Sequence, residues 1–280
     1  MDNRKIIFLL ALLILVGILS VGDMGRKTPP DVAGGGISAL LEGSAILPVR
    51  WGNLGQKMVQ TGVIDGGKFE AFYGNRLSEE DLALLYGEGN ESLRMTKENS
   101  GIVLNLLWAF GLSNKNPILE DGPMKDPRYG GAENFASTGG WTMARVDAME
   151  HYGKHEFVKL TPAQQVLVEK VSKNIYRPCC DNSTYFPDCN HGMAMLGLLE
   201  LLASQGATEE EMYRSALVAN SYWFPDSYET IARYLSVKGT RFADVSPKEI
   251  LGRNFSSASG YQKLISEISS KSNSGVRCSV

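Results

Sequence analysis

Between Tyr176 and Met195 the chain reads YRPCCDNSTYFPDCNHGMAM, which puts three of its four cysteines and one of its three histidines within thirteen residues: Cys179, Cys180, Cys189 and His191. Thiolate sulfur and imidazole nitrogen are the ligands of zinc, copper(I) and iron–sulfur centres, and Asp188 adds a carboxylate oxygen beside them. The same thiols also permit disulfide formation or nucleophilic and redox chemistry. The spacing Cys-Cys-x8-Cys-x-His matches no standard zinc-finger pattern, so residue type rather than register points to a metal.

Disulfide geometry narrows the choices. Adjacent Cα atoms lie about 3.8 Å apart across a trans peptide, closer than the usual disulfide span of about 4.4–6.8 Å, so a Cys179–Cys180 bridge is strained. One of that pair can bond Cys189, which leaves the other free or paired with Cys278 near the C-terminus. Four cysteines allow three pairings, and spacing does not choose among them.

The remaining histidines lie in AMEHYGKHEF, as His151 and His155. A spacing of four places both rings on one face of a helix, as in helical metal sites, with Glu150 and Glu156 beside them. Gly153 weakens such a helix, and an exposed polar helix end with His155 near the C-terminal dipole is the simpler expectation. The two stand as reserve ligands. Met193 and Met195 fit an apolar helix core better than a copper site.

The elements that must position the cysteines are helical. Pro178 disfavours helical geometry at Arg177 and ends the preceding helix. Asp188 is a suitable N-cap for the next, whose GMAMLGLLELLA run is nearly all apolar up to Gly206. Cys179 and Cys180 thus fall at a helix exit, with Cys189 and His191 at a helix entrance. Unpaired N–H groups there stabilise a thiolate, which makes Cys189 the expected activated thiol. His191 lies about 200° further round an ideal helix, so the two share a centre only if Cys189 keeps non-helical geometry.

Elsewhere, helix starts are expected at Ser78/Asp81, Thr161-Pro162 and Thr208/Glu211. In AQQVLVEKVSKNIY the core-facing set is Val166, Val168, Val171 and Ile175. Further helices are expected at 95–111, 141–152, 190–204, 227–237 and 258–270, while strand patterns are scarce. The stretch 113–140, rich in Gly, Pro and Asn, is expected to be an ordered surface loop. The fold class is mainly α: an irregular multi-helix domain with long loops over 37–280, preceded by one N-terminal hydrophobic helix.

That preceding segment, 1–27, has Arg4 and Lys5 ahead of an apolar run from Ile6 to Val21, the layout of a signal anchor or signal peptide. Such a run spans about 25 Å as a helix against a hydrocarbon core of about 30 Å, so it fits a thinly matched anchor or a cleavable leader. TPPDVAGGG, 28–36, is a Pro/Gly tether. The expected setting is the extracytoplasmic face of a membrane, held by the N-terminal helix, or secretion if the segment is cleaved. With 28 Lys and Arg against 31 Asp and Glu, and no basic run, nucleic acid is not an expected partner. No P-loop, nucleophile elbow or dinucleotide fingerprint is present, and no protein partner is specified.

From 177 to 217 the order RPCC, a polar stretch, DCNHG, an apolar helix ending LLASQG, and ATEEEMYRSAL resembles the small membrane-anchored thiol proteins of cytochrome c maturation. Those carry a cysteine pair at one helix end and a following helix opened by a Gly-x-(Ser/Thr)-acidic turn. Their pair is Cys-x-x-Cys, whereas Cys179 and Cys180 are adjacent. The resemblance implies an extracytoplasmic thiol or metal-handling role.

The expected function is a membrane-tethered extracytoplasmic metal-binding protein. Cys189 and one of Cys179 and Cys180 would supply thiolates and His191 an imidazole, to a transition metal that is zinc or copper ahead of iron. The alternatives are a thiol–disulfide oxidoreductase with Cys189 as reactive thiol, and a disulfide-stapled binding domain without catalysis.

Overall fold

The computed structural model describes residues 36–89 and 92–273. The hydrophobic segment 1–27, most of the tether and Cys278 lie outside the described residues. Helices dominate, and among the described residues none is long and apolar enough to cross a membrane.

Two helices form the centre of the core because neither has a polar face to present to water. Ser100–Ser113, SGIVLNLLWAFGLS, is buried from Ile102 to Ser113, and Asn190–Ser204, NHGMAMLGLLELLAS, is buried from Gly192 to Ala203. They approach backbone to backbone through Gly111 and Gly197. A Cβ on Gly197 would lie 2.6 Å from the Leu107 carbonyl oxygen and 2.9 Å from the Gly111 nitrogen, so only glycine fits that crossing. Helices Pro162–Ser172 and Glu209–Trp223 pack against this pair; Pro225–Val237 packs on Glu209–Trp223, and Ala258–Asn273 on Pro225–Val237.

The N-terminal part adds the helices Leu54–Thr61, Gly66–Tyr73 and Glu79–Tyr86 and a small antiparallel sheet. Ala45–Arg50 pairs with Ser92–Met95 in the register Ala45↔Met95 and Ile46↔Arg94, with an irregularity before Arg50↔Ser92. Ala45, Leu47 and Val49 alternate inward, as a half-buried strand requires.

The expected starts at Ser78, Thr161 and Thr208 are all capping boxes, closed by Asp81, Gln164 and Glu211. The expected 190–204 helix has those bounds. The 95–111 helix begins later, at Ser100. Thr96 and Asn99 bond reciprocally, backbone N–H to side-chain oxygen, and Ser92–Met95 ahead of them is committed to the sheet.

Two expectations need correction. There is no helix at 141–152, only a single tight turn at Ala148–Glu150 opened by Asp147. Gly153 adopts φ +62°, and the Gly153 and His155 N–H groups donate to the Leu112 and Ser113 carbonyls. Residues 153–155 thus cap the end of Ser100–Ser113, while within 141–152 the Arg145 N–H donates to the Gly62 carbonyl and the Met143 carbonyl accepts from the Asp65 N–H, bonds that a helix ladder would need. Val166 is 66% exposed, whereas Val168, Val171 and Ile175 are buried. Two residues before Val168, it sits about 160° away from that stripe.

The stretch 113–140 is ordered, and it also contributes to the core. It is built of short turns at Pro117–Glu120, Pro123–Lys125, Pro127–Tyr129 and Ala132–Asn134, and it buries Ile118, Leu119, Met124 and Ala132.

Candidate metal centre

Arg177-Pro178-Cys179-Cys180 forms a tight turn, closed by the Cys180 N–H donating to the Arg177 carbonyl at 3.3 Å. Pro178 holds the second position, where its fixed φ suits the bend. Each side of the turn is anchored. Tyr176 N–H donates to the Leu251 carbonyl, Thr184 N–H to Ile175 and Ala258 N–H to Cys180. Asp181 accepts from the Ser259 backbone N–H at 2.9 Å and hydroxyl at 2.6 Å, tying the loop to the start of Ala258–Asn273. From the other side Ser137 N–H donates to the Asp188 carbonyl, and Phe186 packs with Tyr129 and Phe135.

Across the loop, Cys189 rather than Asp188 is the N-cap of Asn190–Ser204. It has extended geometry, φ −123° and ψ 165°, and its sulfur accepts the Gly192 N–H at 3.4 Å. Asp188 is drawn away by a buried cation. Arg177, 1% exposed, donates from Nη2 to Asp188 Oδ1 at 2.5 Å and to the Phe186 carbonyl at 3.2 Å, and from Nη1 to the Asn182 carbonyl at 2.9 Å. Its Nε donates to Cys189 Sγ at 3.0 Å. The guanidinium therefore organises the whole 177–189 loop from inside. Gly192 leaves it room, since a Cβ there would lie 2.6 Å from Arg177 Cζ.

The three sulfurs converge. Cys179 Sγ lies 3.6 Å from Cys189 Sγ and 3.8 Å from Cys180 Sγ, and Cys180 Sγ lies 3.9 Å from Cys189 Sγ. No disulfide joins them, and Cys179 faces solvent. Expecting only one of the adjacent pair to reach Cys189 understated the turn, which brings both. Thiolates bound to one tetrahedral ion at about 2.3 Å are themselves about 3.8 Å apart, so the triangle has the size of one face of such a site. Three cysteines this close can hold a single metal ion.

Their protonation is unequal. Cys189 is held far below the usual thiol range because the Cys179 and Cys180 thiols donate to it, helped by His191 and by the Arg177 charge. Cys180 gains from the Cys179 thiol, but its own donation to Cys189 and its burial outweigh this and push it up to about 12. Cys179 is raised, chiefly because it donates to both neighbours. The free centre thus carries one thiolate, and loading an ion on all three sulfurs releases the other two protons.

Among the described residues, these cysteines are the one set of three or more His, Cys, Asp or Glu side chains whose ligand atoms all lie within 4.8 Å of one another. His191 stands beside Cys189 but outside that set, its ring packed on Phe224 at 4.4 Å and Trp223 at 6.0 Å. His151 and His155 are paired with each other, Nδ1 to Nε2 at 3.0 Å, with His155 stacked on Phe157. Burial lowers the pKa of both.

Two buried polar residues, one of them at the centre, carry no local signal in the sequence. Arg177 was visible only as the residue before Pro178. Glu200, a lone acid in LLELLA, is fully buried on the cysteine-bearing helix and bonded by Asn114 Nδ2 at 2.6 Å and Asn116 Nδ2 at 2.8 Å. Burial raises its pKa well above the carboxylic range, against the opposing effect of the two amides. It ties the helix to the 113–140 stretch.

No family model matches this chain, and comparison with curated proteins and with solved structures likewise finds no match.

Proposed function

We propose that the protein binds a transition metal, zinc or copper, through Cys179, Cys180 and Cys189, and serves in metal handling on the extracytoplasmic side of a membrane. The triangle of sulfurs with edges of 3.6–3.9 Å carries this reading. Unconstrained thiols have no reason to gather in that arrangement, and here a buried arginine, a proline turn and a helix cap hold them there. The apolar run Ile6–Val21 followed by a Pro/Gly tether supports the membrane setting.

Elemental analysis of reduced protein purified without added metal, or reconstituted with zinc or cuprous ion, tests the binding. One ion per chain, lost in Cys189→Ser, is the expected result; no ion under any loading condition, with thiols free, refutes it. Labelling of an engineered surface cysteine by a membrane-impermeant maleimide on intact cells tests the location. A second reading, thiol–disulfide exchange, is favoured by the 3.6 Å approach of solvent-facing Cys179 to the Cys189 thiolate. It predicts turnover of a disulfide substrate by metal-free protein, lost in both Cys189→Ser and Cys179→Ser.

A further inference from the structure

We infer that the centre takes a soft, three-coordinate ion, cuprous copper, and exchanges it through Cys179; this rests on the metal-binding reading above and names its ion. Three thiolates fall one short of the four protein ligands of a structural zinc site, so zinc would be held here only with a water in the fourth position. Asp188 is the nearest oxygen donor, with Oδ1 3.8 Å from Cys180 Sγ, but that atom is bonded to Arg177 and Oδ2 accepts from Asn182 Nδ2 at 2.9 Å. Recruiting Asp188 would strip the buried guanidinium of its carboxylate. His191 is a hydrogen-bond partner of Cys189 but does not come within reach of all three sulfurs, and its ring packs against Phe224 and Trp223.

Three thiolates, with no other described His, Cys, Asp or Glu side chain within reach of all three sulfurs, suit cuprous ion, which is soft and accepts trigonal sulfur coordination. The centre of the triangle lies about 2.2 Å from each sulfur, a span that lets one ion bond all three at ordinary metal–thiolate lengths of about 2.3 Å. The complex is anionic, and its charge is balanced from the buried side by Arg177 Nε and by the Gly192 N–H, both directed at Cys189. Cys189 is therefore the fixed ligand. Cys179, on the solvent side, is the ligand that an incoming thiolate can replace without disturbing the arginine network.

The test uses the full-length reduced protein. Cuprous ion is titrated against a cuprous-specific chelator, and zinc(II) and cobalt(II) are added separately. Expected are one copper per chain with three sulfurs in its first shell by X-ray absorption, and zinc or cobalt lost on gel filtration. In Cys179→Ser, copper should move to the chelator on the order of tenfold faster or more, while Cys189→Ser should lose copper outright. Zinc or cobalt retained stoichiometrically with a nitrogen ligand that disappears in His191→Ala would overturn the ion assignment but keep the metal reading. Two-sulfur copper coordination unaffected by Cys179→Ser would overturn the exchange role. Failure to bind any of the three ions would sink the metal reading itself.

Discussion

Arg177→Met keeps most of the volume of a side chain that is 1% exposed while removing its guanidinium. Four acceptors lose a donor: Cys189 Sγ, Asp188 Oδ1 and the carbonyls of Asn182 and Phe186. Breaking a buried ion pair from one side costs about 3–5 kcal/mol, because the remaining charge is stranded. Asp188 retains some exposure, 19% for its side chain, and keeps its bond to Asn182, so the low end applies to that pair. A carbonyl left without a donor adds about 1–3 kcal/mol where water cannot reach it. With the two carbonyls shut off from water the sum is about 5–9 kcal/mol, a large share of the 5–15 kcal/mol that separates typical native and unfolded states. Urea unfolding of reduced, metal-free protein, followed by tryptophan fluorescence, measures this loss. Arg177→Lys, which keeps the charge but not the planar fork, should recover part of it. A loss below about 1 kcal/mol in Arg177→Met, with the ion still bound at wild-type strength, would refute the view that this guanidinium organises the loop.

Glu200 makes stability depend on pH in a defined direction. Its folded pKa is raised above the unfolded value near 4.3, so the native state keeps a proton that the unfolded chain releases, and stability falls with rising pH from there until the folded pKa is passed. The slope is about 1.4 kcal/mol per pH unit; Glu200→Gln should flatten it, and parallel urea-derived slopes between pH 5 and 7 would contradict this. Gly197→Ala should destabilise by about 2–3 kcal/mol in the same assay, since its methyl meets the Leu107 carbonyl oxygen and the Gly111 backbone. The ultraviolet absorbance of one thiolate per metal-free chain should persist below neutral pH and vanish in Cys189→Ser, whereas three thiols titrating together near their ordinary value would contradict the hydrogen-bonded thiolate.

Much of the helical framework was legible because its signals are local. Ser78, Thr161 and Thr208 cap helices with side chains that reach only three residues ahead, and the apolar run after Cys189 leaves a helix no option but the core. Where neighbours compete, local pattern fails. The 141–152 segment gives its Arg145 N–H and Met143 carbonyl to Gly62 and Asp65, and Ser92–Met95 joins a strand nearly fifty residues earlier in the chain.

The same division runs through the centre. Residue types and the Pro178 bend were enough to mark Cys179, Cys180 and Cys189 as a thiol cluster at two helix ends, because proline geometry and helix-end chemistry act within a few residues. Tertiary structure decided that all three sulfurs meet, that Cys189 rather than Asp188 caps the helix, and that His151 and His155 pair with each other. The agent is Arg177, whose buried charge has to find partners in the folded chain and takes Asp188 and Cys189 from a loop more than ten residues away. That choice is made by desolvation, which exists only once the chain has folded around the guanidinium.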